Sequence, residues 1–195
     1  MARIQPSIIH INRDTCVSVS WNGLGFHTGT CTVTGNYLLT FTGTHGFVAG
    51  DVGQAAYFTP SGGTAGLYAI ATVPSGTSLT AVAVGFSAAN TGSVACTVGD
   101  IGGAYSQEDG SLDRTLQVHG TFGSSGNLGF FGSNDAINWY VSSDNTGTQL
   151  NVTSVKVRNV YDGPLYYCPM ITAGDATTNL NAIMVFRTQL PRADE

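Results

Sequence analysis

Short runs of alternating apolar and polar residues, separated by glycine, asparagine and aspartate, extend over most of this 195-residue chain. Residues 16–23 show the pattern clearly, because Val17, Val19 and Trp21 fall on one face of an extended strand. No segment longer than a few residues has the 3.6-residue period of a helix. The pattern therefore predicts an all-β chain. Strands are predicted at 16–23, 30–44 (kinked at 35–36), 66–84, 93–98, 114–119, 126–131, 137–141, 149–157, 164–169 and 180–187.

The last third of the chain carries an ordered series of motifs. They are QVHGTFG at 117–123, GSNDAINWY at 132–140, Gly174-Asp175, Thr177-Thr178 and LNAIMVFR at 180–187. The series resembles a domain common in virion proteins of tailed bacteriophages and covers about residues 111–188. It departs from that domain at Ala136, which stands where glycine usually follows Asn-Asp. The resemblance implies an antiparallel, Ig-like β-sandwich.

A looser resemblance covers about residues 31–86. It is carried by His45-Gly46, Gly50-Asp51, Gly66, Tyr68, Ile70, Val73, Ser75 and Thr77. These residues resemble a small SH3-like barrel that recurs in phage and microbial structural proteins. Turn-forming residues at 50–51 and 74–77 predict a hairpin at each place, because apolar residues alternate on either side.

The length fits one large β domain or two small ones, and the two resemblances favour two. Residues 1–14 have no clear period and are predicted to form an extended N-terminal arm. Residues 15–98 are assigned to the barrel, 99–112 to a glycine-rich loop or linker, and 113–195 to the sandwich. Two assignments stay open for strand 16–23: it belongs to the barrel, or to a sandwich into which the barrel is inserted.

Charged residues make up only 10% of the chain, against a typical value of about 25%. With a single lysine, Lys156, either partners cover part of the surface or the surface is neutral but polar. The net charge of −5, with no cluster of lysine and arginine, argues against nucleic acid as a partner. No apolar run approaches the ~18 residues of a membrane span. The first fifteen residues lack the apolar segment of a secretory signal, so assembly inside a cell is expected.

Neither a metal site nor a catalytic set is predicted. Cys16, Cys31, Cys96 and Cys168 include no close pair, which argues against zinc. They are expected to be free thiols, although a disulfide among the first three stays open. Glu108, Asp109 and Asp113 lack the spacing of an EF-hand. No nucleophile motif accompanies His10, His27, His45 or His119, and His45 is interpreted as a packed loop side chain. The chain is therefore predicted not to be an enzyme and to need no cofactor.

Both resemblances imply a bacteriophage particle. The expected function is a capsid decoration (cement) protein that binds the outer surface of the phage head and stabilises it, after assembly in the host cytoplasm. The expected partners are the major capsid protein and other copies of this chain, with a homotrimer as one arrangement. The alternatives are a head or tail fibre module that binds host surface carbohydrate, and a neck or tail component.

Six residues are expected to contact the capsid or a partner. They are Ile4, Ile8, Ile9 and Ile11 of the arm, together with His119 and Tyr140. Because isoleucine is costly to leave in water, the arm is expected to cover a neighbouring subunit and to matter more for assembly than for folding. In the later module, Asp135 is expected to bond the backbone two residues on, and Trp139 to fill the sandwich core while Tyr140 is exposed.

Overall fold

The structure, a computed structural model, describes residues 4–11, 16–34, 36–41, 47–53, 55–60, 66–81, 93–106 and 113–187. These residues form strands and one 3₁₀ turn at Ala49–Asp51, with no α-helix among them. The strands are β1 (Ser7–Ile11), β2 (Cys16–Thr34), β3 (Asn36–Phe41), β4 (Ala55–Pro60), β5 (Gly66–Ser75), β6 (Ser78–Ala81), β7 (Ser93–Gly99), β8 (Tyr105–Ser106), β9 (Asp113–Thr121), β10 (Asn127–Ser133), β11 (Tyr140–Val141), β12 (Asn151–Val152), β13 (Lys156–Asn159), β14 (Tyr166–Ala173) and β15 (Asn179–Arg187). They build two antiparallel sheets, so the predicted all-β fold is confirmed.

Strand β2 belongs to both halves of the molecule. Its first part pairs with β15, from Cys16 opposite Arg187 to Gly25 opposite Asn179. From Phe26 onward the same strand pairs with β7 and then also with β3. The strand predicted at 16–23 therefore lies in a sandwich sheet and continues without a break into the barrel.

The barrel is a closed ring of strands. Its order is β2, β3, β6, β5, β4 and β7, and β7 pairs again with β2. Phe58, Ile70, Leu79 and Val98 are buried inside it. The hairpin predicted at 74–77 is confirmed by the pairing of β5 with β6. The hairpin predicted at 50–51 is wrong, because this turn leads from β3 to β4 and those two strands have other partners. His45 lies outside the described residues.

The sandwich places two sheets face to face. The first has the order β13, β9, β15, β2 and β1, and the second has the order β8, β14 and β10, with β11 and β12 both on β10. Trp21 is fully buried between them, edge-on to Phe130 at 6.1 Å between ring centroids. Its indole Nε1 donates to the Gly103 carbonyl at 2.8 Å, so the buried N–H has a partner.

The second sheet is covered on both faces. Phe130 and Tyr167 point into the sandwich core, whereas Phe131, Cys168 and Met170 pack against the barrel core. Burial on both sides explains why β10 and β14 lack the alternation of a half-exposed strand. Trp139 packs against this barrel-side cluster and is only partly buried, so its predicted place in the sandwich core is wrong. Trp21 fills that core instead, because Trp139 directly follows an exposed turn.

The predicted linker is packed into the structure where it is described. Residues 99–103 are buried, and the amides of Ile171 and Gly102 donate to Asp100 and Pro169 of the facing segments at 3.0 and 2.8 Å. A Cβ on Gly99 would lie 1.7 Å from the Ile171 carbonyl oxygen. The glycines therefore permit close approach of two backbones and do not indicate flexibility. Residues 107–112 lie outside the described part.

The arm also belongs largely to the chain's own fold. All of β1 pairs with β2, and Ile4 exchanges backbone hydrogen bonds with Ile101 and Gly103 at 3.0 and 2.7 Å. The side chain of Ile4 packs against the sandwich core. Ile4 therefore contributes to the chain's own core, and its expected contact with a neighbour stays a prediction. The sequence lacked a strand pattern here because both faces of β1 are exposed.

Candidate interaction surface

A broad surface of neutral polar and aliphatic side chains lies on the solvent side of the first sandwich sheet. Val19 and Trp21 point into the core, so their neighbours Ser18 and Ser20 point outward. Residues opposite one another in antiparallel strands share a face, and the register therefore extends this surface across five strands. One row is Val157, Gln117, Ile183, Ser20 and Ser7, and the next is Asn159, Thr115, Val185, Ser18 and Ile9. We call these rows, with the adjoining His119, Asn181, Cys16 and Ile11, the outer face.

The outer face carries almost no charge. At one end Arg187 Nη1 lies 3.2 Å from Asp113 Oδ2, and these two side chains, each about half exposed, neutralise one another. Such an exposed pair adds little stability. A partner that covers the outer face would therefore strip water mainly from neutral groups, which costs much less than burying unpaired ions.

Aliphatic side chains stand out on this face. The exposed fractions are 57% for Ile9, 44% for Ile11 and 64% for Val157, while Ile183 and Val185 are partly buried by their neighbours. Strands lie about 4.8 Å apart, so five of them span about 20 Å. The face is thus broad, with branched side chains suited to packing against another protein surface.

The structure brings together some of the residues predicted to contact a partner and separates the others. Ile9, Ile11 and His119 share the outer face. The Nδ1 atom of His119 is buried and has no hydrogen-bond partner among the described residues. Ile8 is exposed on the opposite side of β1, and Ile4 packs inward. Tyr140 belongs to the second sheet, on β11.

Three aliphatic residues of the outer face were missed by sequence reasoning: Val157, Ile183 and Val185. A signal for two of them exists in β15, because its apolar residues occupy both faces. Leu180, Ala182, Met184 and Phe186 fill the core side, and Ile183 and Val185 fill the other. A strand that is apolar on both sides is typical of one covered on both sides.

Tyr140 and several loop residues are further exposed side chains outside the outer face. Ile137, Leu165 and Tyr161 are the most exposed of these, at 76%, 54% and 73%. Burial of part of its ring and the nearby Asp162 carboxylate raise the pKa of Tyr140. The prediction that Tyr140 is exposed is confirmed, at 43%.

The turn before Tyr140 is held by Asp135. Its Oδ1 accepts the amides of Asn138 at 2.7 Å and Ile137 at 2.8 Å, as predicted for the residue two positions on. Donation from the Asn138 backbone and side chain, then from Ile137, lowers the pKa of Asp135. The carboxylate thus fixes a turn that presents Ile137 to solvent.

One histidine and one carboxylate meet where β2 passes from the sandwich to the barrel. His27 Nε2 lies 2.7 Å from Asp100 Oδ1, and the Gly25 amide donates to Asp100 Oδ2 at 2.9 Å. Asp100 is almost completely buried. The two carboxylate oxygens therefore bind Gly25 and His27 of the same strand, β2, so the role of Asp100 is structural. Sequence reasoning missed the pair because its members lie 73 positions apart.

Comparisons with protein-family models, with curated proteins and with solved structures returned no match. Within the described ranges, no group of three or more histidine, cysteine, aspartate or glutamate side chains could hold a metal ion. None of the described residues forms a helix long and apolar enough to cross a bilayer.

Proposed function

We propose that this protein is a structural component of a bacteriophage particle, a capsid decoration protein that binds the outside of the head and stabilises it. The observation that carries the proposal is the outer face, a broad sheet surface with exposed Ile9, Ile11 and Val157 and only one neutralised ion pair. The motif series at 117–187 supports the phage assignment by resemblance. The major capsid protein and further copies of this chain are the partners that fit such a surface.

The chemistry of the outer face favours a protein partner over nucleic acid. Binding to a phosphate backbone needs several cations, and the chain has a net charge of −5. Burial of aliphatic side chains and of neutral hydrogen-bonding groups is the alternative source of affinity. An interface above about 1,000 Å² is needed for a specific contact, so the outer face would be combined with flanking surfaces.

Binding through such a face should be nearly independent of salt. Screening weakens attraction between exposed charges, whereas apolar contacts lack that dependence. A decoration protein that binds the assembled shell and not its dispersed subunits also stabilises that shell by mass action. We therefore expect phage heads that carry the protein to resist heating better than heads without it, at both low and high ionic strength.

The experiment compares phage heads made with and without the protein, and adds back purified variants. Ile9→Asp and Val157→Asp place a charge on the outer face and should abolish both binding and protection. Val52→Asp is the matched control, because Val52 is an exposed valine, at 45%, in the turn between β3 and β4 and lies away from the outer face. Circular dichroism of each variant verifies folding.

Two outcomes would contradict the proposal. If heads are equally heat-resistant without the protein, the cement role is wrong. If the folded Asp variants bind as well as the control, the outer face is not the contact surface. Copy number separates the remaining phage functions, since hundreds per particle fit decoration, whereas a dozen or fewer fit a neck component or a fibre.

A further inference from the structure

A second surface of different chemistry lies where the barrel meets the second sandwich sheet. It is a groove of about 540 Å³. Its walls come from both halves of the molecule, and we call it the amide groove after its lining of Tyr57, Leu67, Asn127, Phe131, Gln149 and Asn151. A volume of this size falls within the range of small-molecule sites, about 300–1,000 Å³.

The register explains why these side chains converge. Tyr57 on β4 is opposite Leu67 on β5, so both stand on one face of the barrel wall. Across the groove, β10 pairs with β11, β12 and β14, and Asn151 lies opposite Gly129. Gly129 has no side chain and so makes room for the Phe131 ring and the Thr172 methyl, which a Cβ would approach to 2.7 and 3.2 Å.

The polar groups of the amide groove are neutral and include an unpaired acceptor. Asn127 Oδ1 is buried and has no hydrogen-bond partner among the described residues. Leaving such an acceptor without a partner is costly, so a rotation of the Asn127 amide that brings Oδ1 to a ligand donor would be favoured. Asn151 Nδ2 donates to Gln149 Oε1 at 3.4 Å, a long bond that leaves other donors and acceptors of both amides available.

We propose that the amide groove binds a neutral oligosaccharide. Side-chain amides offer a donor and an acceptor side by side, which matches neighbouring hydroxyl groups of a sugar ring. The ring of Tyr57 and the side chain of Leu67 supply an apolar surface for the C–H face of the same ring. No charged side chain lines the groove, so an acidic glycan or a phosphate has no counter-ion there.

An extended peptide fits the groove less well. Peptides that add to a sheet bond to the backbone of an open edge. Tyr57 and Phe131 instead stand on strands that have a neighbour on both sides, and β12, which pairs only with β10, is two residues long. The groove therefore offers side chains and little free backbone, as a sugar site does. The amide groove shares no residue with the outer face, so sugar binding and the proposed capsid contact are independent.

The test begins with the labelled full-length protein on a glycan microarray of neutral and acidic oligosaccharides. The neutral sugar that binds best is then titrated into ¹⁵N-labelled protein and followed by nuclear magnetic resonance. We expect the side-chain amide signals of Asn127, Gln149 and Asn151 to shift. Tyr57→Ala should weaken binding roughly tenfold through loss of the stacking surface. If Tyr57→Ala does not fold, Asn151→Ala, at an exposed position, tests the groove in its place.

Two controls isolate the groove. Tyr161→Ala removes a tyrosine that is 73% exposed and lies outside the groove, and should leave the affinity unchanged. Ile9→Asp disrupts the outer face and should leave sugar binding intact, which separates this inference from the proposed capsid contact. The inference is wrong if no neutral glycan binds at millimolar concentration, if only acidic glycans bind, or if Tyr57→Ala and Asn151→Ala, both folded, bind like the parent protein.

Discussion

At the residue scale, Ala136 is the described non-glycine residue with a left-handed backbone, at φ 58°. At this position the chain departs from the motif expected at 132–140, in which glycine would follow Asn-Asp. An alanine in this conformation destabilises the folded state by about 1–2 kcal/mol. Glycine in its place makes the unfolded chain more flexible, which lowers the free energy of unfolding by about 0.4–1 kcal/mol. We expect Ala136→Gly to raise the free energy of unfolding by up to about 1 kcal/mol, measured by chemical denaturation.

The matched control is Ala176→Gly in the exposed turn before β15. Ala176 lacks a positive φ, so its replacement should lower stability by about 0.4–1 kcal/mol. Equal losses for both variants would show that Ala136 is not strained.

Asp175 ties two turns of the sandwich together and gives a pH-dependent contribution. Its carboxylate accepts the Ser124 amide and hydroxyl at 2.7 Å each, as well as the Thr177 amide and hydroxyl. Donation from the Ser124 backbone, followed by the hydroxyls of Thr177 and Ser124, lowers the pKa of Asp175. A Cβ on Gly123, which has φ 63°, would lie 2.3 Å from this carboxylate.

Because the folded pKa lies below the unfolded value of about 3.9, the carboxylate stabilises the protein above that pH. This contribution is lost as the pH falls through the folded pKa. Asp175→Asn should therefore be less stable than the parent protein at pH 7, and the gap should narrow below pH of about 4. Thermal melts across this range measure it. A gap of constant size would mean that the charge of Asp175 contributes nothing.

At the element scale, β1 shows how an edge strand can be part of the fold while its side chains stay exposed. Deletion of residues 1–11 removes the pairing of β1 with β2 and the packing of Ile4. The hydrogen bonds of an edge strand contribute little to stability, because the entropy lost on ordering the strand offsets most of their gain. Burial of Ile4 adds to them, so we expect the free energy of unfolding to fall by about 2 kcal/mol.

Ile9→Thr provides the control, since it keeps a branched, exposed residue and the backbone of β1. It should change stability by less than about 0.5 kcal/mol. A deletion variant as stable as the parent protein would mean that the arm contributes little to folding, as the sequence had suggested.

The elements that could be predicted are those with one exposed face. β9 and β15 were expected at 114–119 and 180–187 and occur at Asp113–Thr121 and Asn179–Arg187. β14 was expected to end at 169 and runs to Ala173, because residues 167–171 are buried without interruption and show no alternation to mark the strand. The segment 149–157 divides into β12 and part of β13, which pair with different sheets.

Residues of the outer face could be predicted only where a short stretch of sequence already indicates that they are exposed. Ile9 and Ile11 could be identified because apolar residues in an irregular arm need an explanation. Ile183 and Val185 could not be separated from core residues without the register that places them opposite Ser20 and Ser18. The amide groove was invisible in the sequence, since Tyr57 and Asn127 meet only through tertiary packing.

At the scale of the whole molecule, the two halves share β2 and a packed sheet. The barrel core includes Phe131, Cys168 and Met170 of the second sandwich sheet. We therefore expect one cooperative unfolding transition for both halves. Phe58→Ala in the barrel and Leu116→Ala in the sandwich should each lower the free energy of unfolding by about 3 kcal/mol. Each variant should also shift the same single transition to a lower temperature. Calorimetry with both variants checks this, and two separate transitions, each shifted by only one variant, would show that the halves unfold independently.

The pairing of β2 with β15 also determines the order in which the molecule can be built. The barrel strands β3 to β7 follow β2 directly, so their partners are available early in synthesis. The first part of β2 has to wait for Asn179–Arg187, more than 150 positions later. Closing so long a loop is entropically costly, and folds dominated by such distant pairings form slowly. During translation the barrel can therefore close first, while the exposed edge of β2 awaits its partner and is open to wrong pairing with another nascent chain.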